Sequence, residues 1–226
     1  MGQKINPISL RLGIIGSWRS RWWPKTSYKN QLEEDMFIRD IIKIKAKQAG
    51  IIKIDIERTA DNAYKIFLKV ARPGIVIGRG GQGVADLTKA VEKKLSGLFT
   101  QRKDRKQSFS VNITVEEMKR SEISSAYVAQ SIAWDIEKRM PARRVLKRYI
   151  GLVMQNREAQ GVKIKLSGRI NGAEIARQES LSAGKLPLQT LRANIDYSEA
   201  TSFNTYGTIG IKVWIYKGEV FGDDKI

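Results

Sequence analysis

The sequence of 226 residues contains no cysteine and no histidine. Their absence excludes disulfide bonds, zinc sites built from thiolates or imidazoles, cysteine nucleophiles and Ser-His-Asp triads. No segment reaches the ~18 consecutive apolar residues of a membrane-spanning helix, and Arg11 interrupts the short apolar patches near the N-terminus. We therefore expect a soluble chain with no signal peptide, membrane partner, metal or cofactor. An enzyme that uses carboxylates or lysine stays formally possible.

Acidic residues are scarce relative to basic ones, since 23 Asp and Glu stand against 41 Lys and Arg, for a net charge of +18. Three windows, residues 1–30, 72–107 and 118–148, carry net charges of +6, +6 and +5, almost the whole excess. A single basic run is usually a solvated surface, whereas three separate runs favour contact with extended phosphate. Hydrophobic residues make up 42% of the chain, so packed domains are expected and not a disordered basic tail.

The first basic window also holds three of the five tryptophans, in a segment without helical periodicity. Two interpretations stay open: a small satellite core that attaches an N-terminal arm to the body, or aromatic and guanidinium planes packed against nucleotides. The segment is too irregular for an independent domain, so we predict an extended arm. Its candidate RNA contacts are Lys4, Arg11, Trp18, Arg19, Arg21, Trp22, Trp23 and Lys25.

Residues 28–117 show the order helix, strand, strand, short helix, glycine loop, helix, strand. The first helix is predicted over Tyr28–Ala49, with the acidic residues 33–35 in its early turns and lysines near its end, as the helix dipole favours. Alternation of apolar and polar residues predicts strands at 52–56, 64–70 and 109–115.

The glycine segment fits two motifs. Gly78, Gly80 and Gly83 satisfy the G-x-G-x-x-G pattern of dinucleotide-binding folds. That fold requires a strand running into the first glycine and an acidic residue about 20 positions later. Here Pro73 interrupts the run and the basic turn Arg102–Lys106 occupies the later position, so this interpretation is disfavoured.

The same segment also contains a G-x-x-G loop, Gly78–Gly81, with Arg79 at its tip. The loop and the order of elements around it resemble the type II KH RNA-binding module. Glycine lets a backbone lie against single-stranded phosphates because no Cβ holds it away. We expect the apolar residues 75–77 to pack beneath the loop, and an ordinary helix-turn-helix corner is the alternative. The predicted RNA-binding residues are Arg72, Gly78, Arg79, Gly80 and Gly81.

Residues 118–220 show helix signals followed by alternating strands, which predicts two helices on a mostly antiparallel sheet. Ser121 is the expected N-cap of the first helix, and Pro141 suits the first turn of the second, which should extend to about Ala159. The stretch Ile175–Leu181 is ambiguous between strand and helix. The predicted fold class is α+β, with an N-terminal extended arm at 1–27, a type II KH domain at 28–117, a C-terminal α+β domain at 118–220 and a short tail at 221–226.

Several sequence blocks spread along the chain point to one known family. They are Met1–Pro7, Arg11–Gly13, Gly168–Arg177, Pro187–Tyr197 and Tyr206–Ile215. With the glycine loop, they resemble the universal ribosomal protein S3 family of the small subunit, in its bacterial form, over essentially the whole chain. The resemblance implies a structural constituent of the ribosome and no enzyme. It implies binding to ribosomal RNA in the subunit head and a place beside the channel where messenger RNA enters.

The resemblance also implies neighbours and a second RNA-binding site. The neighbours are ribosomal proteins S10 and S14, with S2 nearby, in cytoplasmic ribosomes or an organelle matrix. The bacterial-type family places an Arg-Arg-x-x-Lys set on a helix facing the incoming messenger, and Arg143, Arg144 and Lys147 match it, with Arg148 adjoining. Alone, such a pair of arginines would indicate a solvated face; in this context it implies messenger RNA contact that holds unwound strands. Asn6 departs from the family, where many members carry histidine.

Two other functions stay open on the sequence alone. One is a free-standing KH regulator of transcripts, which would need neither the tryptophan-rich arm nor the specific second domain. The other is a nucleic-acid lyase with a lysine nucleophile. Against the lyase, no lysine is visibly desolvated by its sequence neighbours, and no carboxylate cluster suited to Mg²⁺ lies in the basic windows.

Overall fold

The computed structural model describes residues 4–23, 27–59, 63–102, 109–119 and 122–221. The chain divides into two compact units, one formed by Trp18–Met118 and the other by Met1–Ser17 together with Lys119–Ile226. The segment 1–27, predicted as a single arm, is therefore divided between the two units. Its first part contains one helical turn, α1 (Pro7–Leu10).

The unit Trp18–Met118 is built on a four-stranded mixed sheet. Its elements are β1 (Ser20–Arg21), α2 (Tyr28–Lys45), β2 (Ile51–Arg58), β3 (Ala63–Val70), α3 (Pro73–Ile77), α4 (Gln82–Gln101) and β4 (Ser110–Glu117), with 3₁₀ turns at Lys47–Ala49 and Arg79–Gly81. The strand order is β1-β2-β3-β4, in which only the β2–β3 pair is antiparallel. The predicted order of helices and strands is confirmed, while β1, a two-residue strand beside Ile56 and Glu57, was not predicted.

The core of this unit lies between alternating residues of the sheet and the inner faces of its helices. The fully buried large side chains are Ile38, Ile42, Ile56, Ile66, Leu68 and Leu95. Each contributes about 1.5–3 kcal/mol by leaving water. Gly50, at φ 70°, ends the turn after α2 in the left-handed region and directs the chain into β2. This packing holds α3 and α4, and hence the loop between them, on a rigid base.

The other unit consists of two helices on an antiparallel sheet. Its elements after α1 are α5 (Ser125–Glu137), α6 (Ala142–Met154), β5 (Gly161–Gly168), a 3₁₀ turn (Ile170–Gly172), β6 (Arg177–Gly184), β7 (Ala193–Asn204) and β8 (Gly207–Glu219). The strand order is β6-β5-β8-β7 with every pair antiparallel, which confirms the predicted architecture. Inward residues of β5 and β8 form one core with α5 and α6. On the opposite face, Ile8 of α1 packs against a second cluster that includes Tyr197 and Trp214.

Several predicted boundaries differ from the structure. The helix after Pro141 ends at Met154, and the ambiguous stretch at Ile175–Leu181 enters strand β6 at Arg177. Its residues are strand because all eight positions of β6 pair with β5. Ser121 lies outside the described residues, and the N-cap of α5 is Ser124. Among the described helices, none combines the length and the apolar composition needed to cross a membrane.

Candidate nucleic-acid interface

The loop between α3 and α4 has a backbone that only glycine adopts easily. Gly78, Gly80 and Gly81 have φ values of 68°, 60° and 79°, in the left-handed half of φ/ψ space. Gly83, in the first turn of α4, is required for space and not for its backbone angles, because a Cβ there would lie 2.3 Å from the carbonyl oxygen of Val76. Four glycines thus let α3 and α4 approach closely and leave an uncovered backbone at the tip. Gly78 follows a helix and not a strand, so the dinucleotide interpretation is wrong.

Side chains around this loop are mostly open to solvent. Arg79 is exposed at the tip and Arg72 is exposed at the start of α3. The expectation that residues 75–77 all pack beneath the loop holds only for Val76, since Ile75 and Ile77 are 49% and 40% exposed. A five-residue helix has one inward face, which has room for one of the three. The loop therefore offers a cation, bare backbone and apolar side chains side by side, a combination suited to single-stranded RNA.

The acidic residues near the start of α2 bind arginines in the fold. Arg58 contacts Glu34 at 2.6 Å and also pairs with Asp35, and Arg102 contacts Glu34 at 2.7 Å. Burial alone would lower the pKa of Arg58, but the two carboxylates raise that pKa above its ordinary value, so Arg58 stays positively charged. The prediction that these acids serve the helix dipole missed this network, in which the arginines lie 23 to 69 positions from their carboxylate partners.

The sequence left open whether the tryptophans of the N-terminal segment form a small core or face nucleotides, and they differ in this respect. Trp22 belongs to the buried acidic network, because its Nε1 donates to Asp35 at 2.8 Å and its ring lies 5.4 Å from the Arg58 guanidinium. Trp18 and Trp23 are 65% and 88% exposed. Trp22 thus attaches the segment to its unit, and the other two rings remain available for contact outside it.

The basic residues of the N-terminal segment also differ in availability. Arg11 is only 4% exposed, and its guanidinium donates to the carbonyls of Pro7, Leu188 and Thr190 at 2.8–3.0 Å. It is therefore no candidate for RNA contact, which corrects the prediction. Lys4, Arg19 and Arg21 are exposed, although Arg21 pairs with Glu57 at 2.7 Å. Lys25 lies outside the described residues.

Helix α6 separates its charges from its apolar residues. Its buried side chains face the core, and the basic ones stand on the opposite face, which we term the α6 basic face: Arg143, Arg144, Lys147 and Arg148. Among the described residues, none forms an ion pair with the first three. Arg148 differs, because it lies 3.7 Å from Asp135, which also accepts from the Tyr149 hydroxyl at 2.9 Å. Burial and that hydrogen bond raise the pKa of Tyr149 to about 12.

Known proteins match the chain in both units. Residues 37–123 match the KH domain family, and residues 132–215 match the family described as "Ribosomal protein S3, C-terminal domain". The small ribosomal subunit protein uS3 of Desulfitobacterium hafniense is 46% identical over 226 residues, which is 100% of this chain and 97% of that protein. The chain belongs to the ribosomal protein S3 family. The uS3 proteins of Desulforamulus reducens and Carboxydothermus hydrogenoformans are 48% and 47% identical, each over 100% of this chain and 96% of their own length.

Membership of the S3 family confirms the resemblance stated from the sequence blocks, and the KH match covers the loop at Gly78–Gly81. The S3 C-terminal match covers α6 and the antiparallel sheet beneath it. Two exposed basic features thus stand on separate units: the loop in one and the α6 basic face in the other. A local sequence pattern could find the loop, because a glycine loop is a short-range signal. The basic set on α6 was identified through the family resemblance.

Proposed function

We propose that this chain is a structural, non-enzymatic constituent of the small ribosomal subunit that binds ribosomal RNA in the subunit head and messenger RNA where it enters. The observation that carries the messenger part is the α6 basic face, three of whose four cations have no carboxylate partner among the described residues. The helix beneath is fixed by buried Val145, Leu146 and Ile150. Fixed, unneutralised cations bind phosphate without first having to break an internal ion pair.

Ribosomal RNA anchoring is assigned to the other exposed cations and rings. They are Arg72, Arg79 and the glycines of the KH loop, together with Lys4, Trp18, Arg19, Arg21 and Trp23. The proposed neighbours are ribosomal proteins S10 and S14, with S2 nearby, in cytoplasmic or organellar ribosomes. The named relatives support a place in the small subunit, since each is a small ribosomal subunit protein. No cofactor takes part.

The proposed action of the α6 basic face is to hold separated strands of messenger RNA. Phosphate contacts position a strand but carry no sequence information, so any messenger serves equally. Translocation of the ribosome begins to open a hairpin, and cations on a fixed helix bind each strand as it separates. This chain then needs no nucleotide hydrolysis, because the ribosome supplies the movement.

The test replaces Arg143, Arg144 and Lys147 with Ala in the full chain. Subunit assembly, followed by sedimentation, should be intact because the anchoring contacts lie elsewhere. Translation through a stable hairpin should slow more than translation of unstructured messenger. The matched control, Arg143→Lys with Arg144→Lys and Lys147→Arg, conserves charge and should behave as wild type. If the alanine variant slows translation equally on both templates, or fails to assemble, the messenger assignment is rejected. If the tagged wild-type protein is absent from small subunits, the whole proposal is rejected.

A further inference from the structure

A cavity of about 460 Å³ lies in the unit that contains α6, next to the start of that helix. It lies between the α5–α6 connection, the 3₁₀ turn after β5 and the turn between β7 and β8, and it is open to solvent on one side. We call it the Tyr206 cavity, and its lining includes Arg139, Arg169, Asn171, Phe203 and Tyr206. The volume is in the range of small-molecule and cofactor sites, and the lining mixes aromatic rings with cations.

The ring of Tyr206 is held in place yet open to solvent. A Cβ on Gly172 would lie 3.3 Å from the ring carbons, so the glycine makes room for the ring to pack there. Arg169 lies 5.9 Å from the ring centroid and donates to the Tyr206 carbonyl at 3.1 Å. The residue nevertheless remains 61% exposed. A fixed and exposed aromatic ring is a ready stacking surface, because little order is lost when a flat ligand binds.

Arg139 occupies a backbone position at which glycine is more stable. Its φ is 62°, and it ends α5 in a Schellman motif, with Arg139 N–H donating to Ile136 O at 2.9 Å and Met140 N–H to Asp135 O at 3.1 Å. Strained backbone positions of this kind cluster at functional sites. Among the described residues, none is hydrogen-bonded or ion-paired to the Arg139 guanidinium. The Arg139 side chain is exposed beside the cavity, so its guanidinium is available to a ligand.

We propose that the Tyr206 cavity receives one unstacked base of single-stranded RNA, which stacks on the Tyr206 ring while Arg139 binds an adjoining phosphate. Bases splayed from single strands are commonly recognised by stacking on aromatic rings and guanidinium planes. The inference rests on the proposed RNA contact of the α6 basic face, because Arg143 stands one residue beyond Ala142, where α6 begins beside the cavity. The one carboxylate in the lining, Glu137, is engaged by the Phe203 N–H at 3.2 Å.

The probes for the test are two fluorescent 12-nucleotide strands, an oligouridine and an abasic strand with the same phosphates. Binding of the full chain is measured by anisotropy in an Arg79→Asp, Gly80→Asp background, which suppresses base contacts at the KH loop. We expect Tyr206→Leu to weaken oligouridine binding by about fivefold or more, as loss of one stacked base does, and to leave abasic binding unchanged. The conservative Tyr206→Phe keeps the ring and should retain affinity.

A second variant separates binding from folding. Arg139→Gly removes the left-handed strain, so the midpoint of thermal unfolding should stay the same or rise, while oligouridine binding should weaken severalfold. Two results would overturn the proposal: Tyr206→Leu leaves the ratio of oligouridine to abasic affinity unchanged, or Arg139→Gly leaves RNA binding unchanged. The occupant of the cavity would then have to be a protein segment. The α6 triple alanine variant should weaken both strands alike, so its failure would count against the proposed function and not against the cavity.

Discussion

The two units hold buried and partly buried arginines with different partners. In Trp18–Met118, Arg58 and Arg102 are neutralised by carboxylates that α2 supplies. In the other unit, Arg11 and Arg169 donate to backbone carbonyls, which carry no net charge. The first unit thus neutralises Arg58 and Arg102 with acids, although its Arg39 donates to the carbonyl of Ile54. Arg11 and Arg169 in the second unit are held by neutral carbonyls alone. A count of basic residues along the sequence does not show which of these cations the fold neutralises.

The sharpest test of this contrast removes one arginine from each unit. Arg58→Ala leaves Glu34 and Asp35 buried without their main partner, so the free energy of unfolding should fall by about 3–5 kcal/mol. Arg148→Ala breaks a 3.7 Å pair between an exposed arginine and partly buried Asp135, which keeps its hydrogen bond from Tyr149, and should cost below about 1 kcal/mol. Urea denaturation of both variants measures the difference, and similar losses would show that burial does not distinguish the two pairs.

A second pair of variants tests how far the KH loop depends on close backbone packing. Gly83→Ala forces a Cβ against Val76 O and should destabilise the protein by about 1–3 kcal/mol, as overpacking does. Gly97→Ala, in the same helix, meets no atom within 4 Å and should stabilise by up to about 1 kcal/mol through helix propensity. The midpoint of thermal unfolding should fall for Gly83→Ala and rise for Gly97→Ala. Changes of the same sign in both variants would contradict the geometry.

The N-terminal segment offers a matched pair of tryptophans. Trp22→Phe keeps an aromatic ring but removes the donor to buried Asp35, which should cost about 1–3 kcal/mol. Trp23→Phe alters an exposed ring and should stay within about 0.5 kcal/mol of wild type. Equal stability of the two variants would mean that the hydrogen bond to Asp35 does not anchor the segment.

The smallest expected effect compares the RNA surfaces of the two units. The α6 triple alanine variant removes three phosphate contacts, so the slope of log affinity for single-stranded RNA against log salt should become shallower by about 2. Arg79→Ala removes one contact and should change the slope by less than about 1. Filter binding over a range of salt concentrations measures both, and equal slopes would show that the two surfaces contribute the same charge.

Local patterns were enough to predict most of the fold. The alternation from Ile209 to Ile215 identifies β8 because every second side chain is buried under α5 and α6. The glycine loop was predictable from its local spacing, whereas Arg143, Arg144 and Lys147 were selected through the family resemblance, because alone such a set indicates a solvated face. The site residues for which prediction failed, Arg11 above all, have partners far along the chain. Whether a cation is exposed depends on that tertiary neighbour, which no local pattern reports.

The attachment of the N-terminal segment has a consequence for the order of events during synthesis. The carbonyls of Leu188 and Thr190, which the Arg11 guanidinium binds, lie 177 and 179 positions later in the chain. At typical rates of about 5–20 residues per second, roughly 10–35 s pass before those acceptors are translated. During that interval all of Trp18–Met118 has already been synthesised, while Arg11 still lacks two of its three carbonyl acceptors. The first residues made are thus among the last to reach their final place, so a nascent chain stalled before Leu188 should leave them open to proteases.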